Sequence, residues 1–117
     1  MQVVNVTKGT VLANEAEMAT TFWRRFVGLM GRRRLEPGHG LVIEPCRSVH
    51  TFFMRFPIDV VYIDRTSIVV KVVPGLAPYR MSATLGPAHA VIELPKGAID
   101  QSRTEAGDVL ALPEPAV

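Results

Sequence analysis

The side chains that could do chemistry lie mainly in two apolar segments of this chain. His50 and Asp59 belong to the segment 46–64, and Glu93 belongs to the segment 89–94. A carboxylate and a histidine together can act in acid–base catalysis, and either group can orient a ligand beside an apolar surface. The sequence therefore directs attention to acid–base chemistry or to polar recognition next to a hydrophobic groove.

Cys46 and His50 do not form a nucleophile–base pair within one straight strand. They are four residues apart, and a rise of about 3.3 Å per residue separates them by about 13 Å. A nucleophilic thiol needs its base within hydrogen-bond reach. A small, buried, apolar role is more typical of such a cysteine. The sequence therefore predicts that Cys46 is an inert core residue.

The histidines and acids do not show the spacing of metal ligands. The candidates are scattered, and none forms a His-x-His or His-x3-His pair: His39, His50, Asp59, His89 and Glu93. The phosphate-binding, dinucleotide-binding, nucleophile-elbow and zinc-ribbon motifs are also absent from the sequence. We therefore expect neither a metal site nor a cofactor.

Alternating side chains and turn residues predict about seven short strands. These strands must position His50 and the two carboxylates. The predicted strands are 3–6, 10–12, 40–44, 48–53, 58–63, 67–73 and 89–94. Strand 67–73 is apolar on both alternations, which predicts a central strand covered on both faces. A short helix within 96–104 precedes a last strand at 109–112, and 76–87 is predicted to be a long loop.

A longer helix is predicted from about 15 to 27. Met18, Phe22, Trp23 and Phe26 recur at helical spacing, and Asn14 is a suitable N-cap residue. We expect the aromatic side chains of this helix to pack on the sheet.

Strand alternation also assigns the two carboxylates to faces. The apolar residues that alternate with Glu93 form the core face of 89–94, so Glu93 points either to solvent or into a cleft. Asp59 heads an apolar face of 58–63. A carboxylate in that position usually accepts hydrogen bonds from backbone N–H groups or pairs with an arginine. The sequence favours a structural role for Asp59 and leaves Glu93 open.

Length and composition favour one folded domain over residues 1–117, with a frayed tail at 113–117. Charged residues make up 21% and apolar residues 48%, which excludes a disordered chain, and no apolar run approaches membrane-spanning length. The N-terminus lacks the pattern of a signal peptide, so we expect a cytoplasmic protein, or an exported one where a natural precursor has such a signal. The predicted fold is mainly β (α+β): a curled sheet or β-barrel with one or two packed helices.

Basic residues are concentrated in one segment. The net charge is +2, yet 20–35 contains five arginines and no acid: Arg24, Arg25, Arg32, Arg33 and Arg34. Such a cluster could meet phosphate, an acidic lipid surface or an acidic partner. A solvated helix end is the favoured interpretation, because nucleic-acid binders usually add exposed aromatic residues or a known motif. We therefore expect no nucleic-acid partner.

Four segments stand out along the chain: 25–30 (RFVGLM), 49–62 (VHTFFMRFPIDVVY), 91–97 (VIELPKG) and 107–109 (GDV). In this order they resemble the conserved blocks of the bacterial and archaeal domain of unknown function 192. The resemblance extends over about 20–112. The family more often has a small residue or tryptophan where Phe53 stands, and alanine where Lys96 stands. The resemblance implies a small β-rich domain, exported in some members, without an established activity and therefore without catalytic roles to transfer.

Two classes of function remain. The preferred one is a non-catalytic binding or accessory domain with a groove for a small ligand, peptide or glycan. Its predicted ligand-binding residues gather at one concave surface: Arg25, His50, Phe53, Met54, Asp59 and Glu93. The alternative is a small hydrolase-like enzyme with a carboxylate and His50 as general base, and a weaker one is a nucleic-acid accessory protein that uses the arginine cluster. Binding is preferred because no set of nucleophile, base and orienting group is evident. The sequence leaves the ligand, the enzyme question and the oligomeric state open.

Overall fold

The fold of the chain is mainly β. The computed structural model describes residues 1–21, 29, 32–84 and 86–112. Within these residues ten strands and one helix follow one another: β1 (Val3–Asn5), β2 (Thr10–Ala13), β3 (Glu15–Ala19), β4 (His39–Ile43), β5 (Ser48–His50), β6 (Ile58–Ile63), β7 (Val69–Leu76), β8 (Met81–Ala83), β9 (Ala90–Pro95), α1 (Ala98–Ser102) and β10 (Leu110–Ala111). The predicted mainly β class is confirmed.

A five-stranded sheet with the order β3-β4-β9-β6-β7 forms the centre of the fold. Only β3 and β4 run parallel, and the other neighbours are antiparallel. In β6 and β9 every residue from Ile58 to Ile63 and from Ala90 to Leu94 is buried. Since strand side chains alternate between faces, both faces of this sheet must be covered.

Each face of the central sheet has its own core. The first core includes Val3, Leu12, Val61, Ile92, Leu94, Ile99 and Leu110, so β1, β2, β10 and α1 cover this face. The second core includes Leu29, Val49, Met54, Val60, Tyr62 and Val91. The two-stranded sheet β5-β8 lies over the second face, where the Tyr62 hydroxyl contacts Ser82 Oγ at 2.9 Å.

The central position was predicted for the wrong strand. β7, which contains the valine-rich run, is an edge strand of the five-stranded sheet. Val69 is buried, whereas Val70, Val72 and Val73 are only partly buried. An edge strand between two cores can be apolar on both alternations, because each face still touches a core. Apolar composition alone therefore does not separate an edge strand from a central one.

The first predicted helix is also wrong over its N-terminal part. Residues 15–19 form β3, which pairs in parallel with β4 from Glu15 opposite His39 to Ala19 opposite Ile43. Ala16 packs in the first core and Ala19 in the second, as a strand period allows. Phe22, Trp23, Phe26 and the rest of the predicted helix through 27 lie outside the described residues.

The sheet edges decide between the predicted alternatives of a curled sheet and a β-barrel, and one predicted loop differs from the structure. Among the described strands the five-stranded sheet has two distinct edges, β3 and β7, so it is an open sheet and does not close into a barrel. The predicted loop 76–87 contains β8, which pairs with β5. The helix predicted within 96–104 is confirmed as α1. No helix among the described residues has the length and apolar character needed to cross a membrane.

Candidate functional site

A tight turn follows β5 and exposes two phenylalanines. The N–H of Met54 donates to the Thr51 carbonyl at 3.2 Å, which closes the turn 51–54. Its third residue, Phe53, has φ of 64°, a backbone conformation that normally favours glycine or asparagine. Phe52 and Phe53 point outward, and Phe53 is 64% exposed, whereas Met54 is buried in the second core. The turn therefore holds an aromatic ring in solvent at a conformational cost.

A second turn of the same kind precedes β8. Pro78 and Tyr79 occupy the centre of the turn 77–80, and Tyr79 has φ of 59°. Proline is favoured at the first central position of such turns, because its ring fixes φ, and glycine is usual at the next. Tyr79 takes that second position and is 58% exposed. Two neighbouring turns thus present an aromatic residue where glycine is expected.

Thr51 joins the two turns. Its carbonyl accepts hydrogen bonds from the N–H groups of Met54 and Tyr79. Its hydroxyl donates to the Ala77 carbonyl and accepts from the Arg80 N–H at 2.8 Å, and its own N–H donates to the Arg80 carbonyl at 2.9 Å. Thr51 is fully buried. This network fixes the geometry of both turns and so the positions of their aromatic rings.

Four exposed side chains around these turns and the half-buried His50 form one patch. We call it the aromatic surface and define it as His50, Phe52, Phe53, Tyr79 and Met81. The His50 ring stacks on Phe52 with 5.3 Å between centroids, and Tyr79 lies 6.4 Å from Phe52 and 6.1 Å from Phe53. His50 pairs directly with Met81 across β5 and β8, and Met81 is 71% exposed. Contiguous exposed apolar groups of this kind mark interaction sites.

The segments that carry the aromatic surface contain charge of one sign. Segments 48–57 and 74–84 contain Arg55 and Arg80 and no acid, and both arginines are exposed. Neither forms an ion pair with a described residue. By contrast, Arg32 and Arg34 of the basic cluster pair with Glu17 at 3.4 Å and Glu36 at 2.6 Å.

Asp59 has a structural environment. One carboxylate oxygen accepts the N–H of Gly75 at 2.8 Å, and the other accepts those of Gly97 at 3.1 Å and Ile99 at 2.8 Å. Asp59 is buried and faces the first core together with Leu94, its partner on β9. It anchors the loop before α1 to the sheet, as the sequence-based structural interpretation anticipates.

Glu93 lies on the other face of the sheet. It pairs with Val60 of the second core, is 3% exposed, and its Oε2 has no hydrogen-bond partner among the described residues. Burial raises the pKa of its carboxyl from 4.5 to about 8, although the positive charge of Arg32 works in the opposite direction. Glu93 is therefore largely protonated at neutral pH. The expectation that it points to solvent or a cleft is wrong, because both faces of β9 are buried.

The predicted cluster of site residues is divided between several places. His50 and Phe53 belong to the aromatic surface, and Met54 lies beneath it in the second core. Asp59 and Glu93 are on opposite faces of the central sheet, so the prediction that these residues gather at one concave surface is wrong for the two carboxylates. Arg25 lies outside the described residues. The ligand-binding role of all six remains a prediction.

No pattern in the sequence singles out Thr51 as the residue that joins the turns, and Tyr79 and Met81 fall within the predicted loop 76–87. Both side chains are exposed members of the aromatic surface. A signal for the second turn was available, because Pro78 followed by another residue is typical of a turn centre. No local pattern indicates that a threonine in one turn bonds to another turn 26 residues later.

A groove of about 640 Å³ lies at the other end of β5, lined in part by Cys46, Arg47, Arg65 and His89. Several of its ionisable groups already have partners, among them Arg47, whose Nε donates to the Ala88 carbonyl. The His89 ring nitrogen Nε2 is 3.2 Å from the Glu44 carboxylate. The Asp64 carboxylate accepts hydrogen bonds that lower its pKa, and the bond from the Ile68 N–H has the largest effect. Cys46 is only half-buried and lines this groove, which differs from the predicted buried core position, and its thiol is 2.9 Å from the Ser48 carbonyl. Within the described residues no His, Cys, Asp and Glu side chains are grouped as a metal site would require.

The fold and this surface define a small, mainly β domain with an exposed aromatic patch and no recognisable catalytic set among the described residues. Residues 3–112 match the family model of DUF192, described as "Uncharacterized ACR". The chain therefore belongs to this family, and the resemblance found in the sequence is confirmed.

Known relatives and structures agree with this assignment. A UPF0127 protein of Pyrococcus furiosus is 36% identical over 92% of this chain and 95% of its own length, and one of Thermococcus sibiricus is 38% identical over 91% and 71%. A crystal structure of a protein of unknown function from Novosphingobium aromaticivorans superposes with a TM-score of 0.84 at 23% identity, covering 96% of this chain and 84% of that one. A protein from Sinorhizobium meliloti gives 0.81 at 20% identity over 94% and 89%. At these identities the structures show the fold alone.

Proposed function

We propose that this domain is a non-catalytic binding module and that its ligand docks on the aromatic surface. The observation that supports this most strongly is the backbone conformation of Phe53 and Tyr79. Both are bulky residues in the left-handed region, with φ of 64° and 59°. Such conformations cost of order 1–3 kcal/mol each and cluster at ligand clamps and switch regions.

The conformational cost of positive φ at these two residues is not offset by burial of their rings. Both rings are more than half exposed, so neither residue stabilises the fold by filling a core. Glycine or asparagine would satisfy the same turns with less strain. The buried Thr51 nevertheless holds both turns in register. Rigid aromatic side chains presented in this way are suited to recognition, because little conformational entropy is lost when a ligand binds.

The enzymatic alternative has weaker support. Both oxygens of Asp59 accept backbone N–H groups in the first core, and Glu93 is buried in the second core. His50 Nδ1 accepts a hydrogen bond from the Phe52 N–H at 3.2 Å, on the outer side of β5. A general base needs a route to a substrate proton. Binding remains the better-supported function.

Amide chemical shifts measured during ligand titration test this proposal. The probes are a mixed set of short acidic, neutral and basic peptides and of neutral oligosaccharides. We expect at least one probe to shift the amides of 50–54 and 77–82 and to lose this effect in Phe53→Asn. Val6→Asn is the matched control, because Val6 is 58% exposed next to β1 on the other layer. Shifts confined to other residues, or none with any probe, would overturn the proposal.

A further inference from the structure

We infer that the partner of the aromatic surface is an acidic segment of another protein, with an apolar anchor residue flanked by Asp or Glu. This inference rests on the proposed function and adds the chemistry of the ligand. The aromatic surface supplies the apolar contact, and the neighbouring Arg55 and Arg80 supply the charge.

Charge complementarity is the first argument. Arg55 and Arg80 are exposed in segments without a single acid and form no ion pair with a described residue. Among the described residues the Arg80 guanidinium donates only to the Tyr79 carbonyl, at 3.3 Å, within its own turn. Guanidinium groups can bind carboxylates through two parallel hydrogen bonds. Positive potential around an apolar patch favours a partner with the opposite charge.

The kind of residue at the patch is the second argument. The centres of protein–protein interfaces are enriched in Phe, Tyr, Met and Arg and depleted in Lys, Glu, Asp, Ser and Ala. The aromatic surface with Arg55 and Arg80 contains four of these enriched types and none of the depleted ones. Tyrosine and arginine are also frequent among the residues that contribute most to binding energy. The patch therefore has the composition of an interface core with a basic rim.

Ring geometry disfavours single-stranded nucleic acid. Successive bases stack on accessible, suitably oriented aromatic faces. Here Tyr79 is inclined by 46° to Phe52 and by 65° to Phe53, and the His50 ring already covers one face of Phe52 at an angle of 26°. An apolar peptide side chain has no such requirement, because it can insert between inclined rings.

The spacing of the charged and aromatic residues predicts where the acidic residues of the ligand lie relative to its apolar anchor. Arg80 directly follows Tyr79, and Arg55 lies two residues after Phe53. A partner that places one apolar side chain among the rings would thus bring its adjacent residues close to a guanidinium. We expect acids immediately beside the anchor to contribute more than acids placed further along the peptide.

Fluorescence anisotropy with synthetic peptides tests this inference. The probe has a central Leu-Phe pair flanked by Glu and Asp, and its counterparts carry Gln and Asn or Lys at the same positions. We expect only the acidic probe to bind well, with an affinity that falls as salt rises. Arg80→Glu and Arg55→Glu should each weaken it by at least about tenfold, as expected for a lost arginine–carboxylate pair.

Arg65→Glu provides the control for net charge. Arg65 is exposed in the turn between β6 and β7, at the end of β6 remote from the 51–54 turn, so this variant should leave the affinity unchanged. Equal binding of the acidic and neutral probes overturns the inference. So does tighter binding of a short oligothymidylate or of phosphatidylserine vesicles, and so does the absence of acidic-peptide binding.

The two proposals fail in different ways. A neutral peptide or oligosaccharide that shifts the amides of 50–54 and loses this effect in Phe53→Asn leaves the binding function intact and removes the acidic partner. An acidic peptide that binds parent and Phe53→Asn equally overturns both, because the aromatic surface would then not be its site.

Discussion

At the scale of single residues, three positions have a backbone conformation or an environment that lowers the stability of the fold. Phe53 and Tyr79 hold positive φ without burial, and the buried Glu93 Oε2 has no hydrogen-bond partner within the described part of the chain. Proteins generally tolerate such features where function or fold requires them. For the two aromatic residues we attribute the cost to recognition.

Replacement of Phe53 by asparagine tests that attribution. Asparagine adopts the left-handed conformation readily, and the lost ring contact is exposed. We expect the free energy of unfolding in urea to remain unchanged or to rise by up to about 1 kcal/mol. Val6→Asn, at a site without positive φ, should give no such gain. A loss of more than about 2 kcal/mol in Phe53→Asn would mean that the ring stabilises the fold.

The buried carboxyl of Glu93 predicts a pH dependence. Below about pH 4.5 it is protonated in both the folded and the unfolded state, whereas between about 4.5 and 8 only the unfolded state releases the proton. The unfolded state therefore binds fewer protons, and stability falls as pH rises through this window. Thermal melts should show this decline, and Glu93→Gln should flatten it.

Glu15→Gln is the control for this titration, since Glu15 is exposed on β3. It should leave the slope of melting temperature against pH unchanged. A parent slope that survives in Glu93→Gln would show that another group is responsible.

At the scale of elements, the two turns beside β5 and β8 behave as one unit. Thr51 contacts residues 77, 79 and 80 through four of its hydrogen bonds. The sequence predicts the strand and the first bend but makes 76–87 a loop, because a three-residue strand such as β8 has too few residues for an alternation pattern. β8 is a strand because it pairs with β5, and no local sequence pattern indicates this pairing.

Thr51→Val removes the hydroxyl while nearly conserving the shape of the side chain. The Ala77 carbonyl and the Arg80 N–H then lose their partner, so we expect a loss of about 1–3 kcal/mol in the free energy of unfolding. Ligand binding at the aromatic surface should weaken as well, because both turns lose their alignment.

Thr66→Val serves as the comparison, because the Thr66 hydroxyl bonds only within its own exposed turn, to Asp64 at 2.7 Å. Its effect should stay within about 0.5 kcal/mol. Equal losses in the two variants would argue against a special role for Thr51.

At the scale of the whole molecule, one central sheet separates two cores. The strands β6 and β9 were predicted with nearly correct bounds, because their apolar runs are strong and end at proline or turn residues. The sequence could not reveal that both faces are covered, since this depends on which distant strands lie over each face. That missing information explains why Asp59 and Glu93 appeared able to meet, although they point in opposite directions.

A double-mutant cycle measures this separation directly. Asp59→Asn should cost about 1–3 kcal/mol of the free energy of unfolding at pH 7, because an amide nitrogen would face backbone N–H donors. Glu93→Gln acts in the other core. Asp59 and Glu93 share no partner among the described residues. The changes that the two substitutions make in the free energy of unfolding should therefore be additive within about 0.5 kcal/mol at pH 7.

The pair Thr51→Val and Phe53→Asn supplies a positive control for this cycle, because both residues belong to one turn and should show coupling. An interaction energy of more than about 1 kcal/mol between Asp59→Asn and Glu93→Gln would contradict the two-core arrangement. It would restore the single polar cluster that the sequence alone suggests. Additive losses would instead leave the aromatic surface, on the outer side of the second core, as the site where this domain meets its ligand.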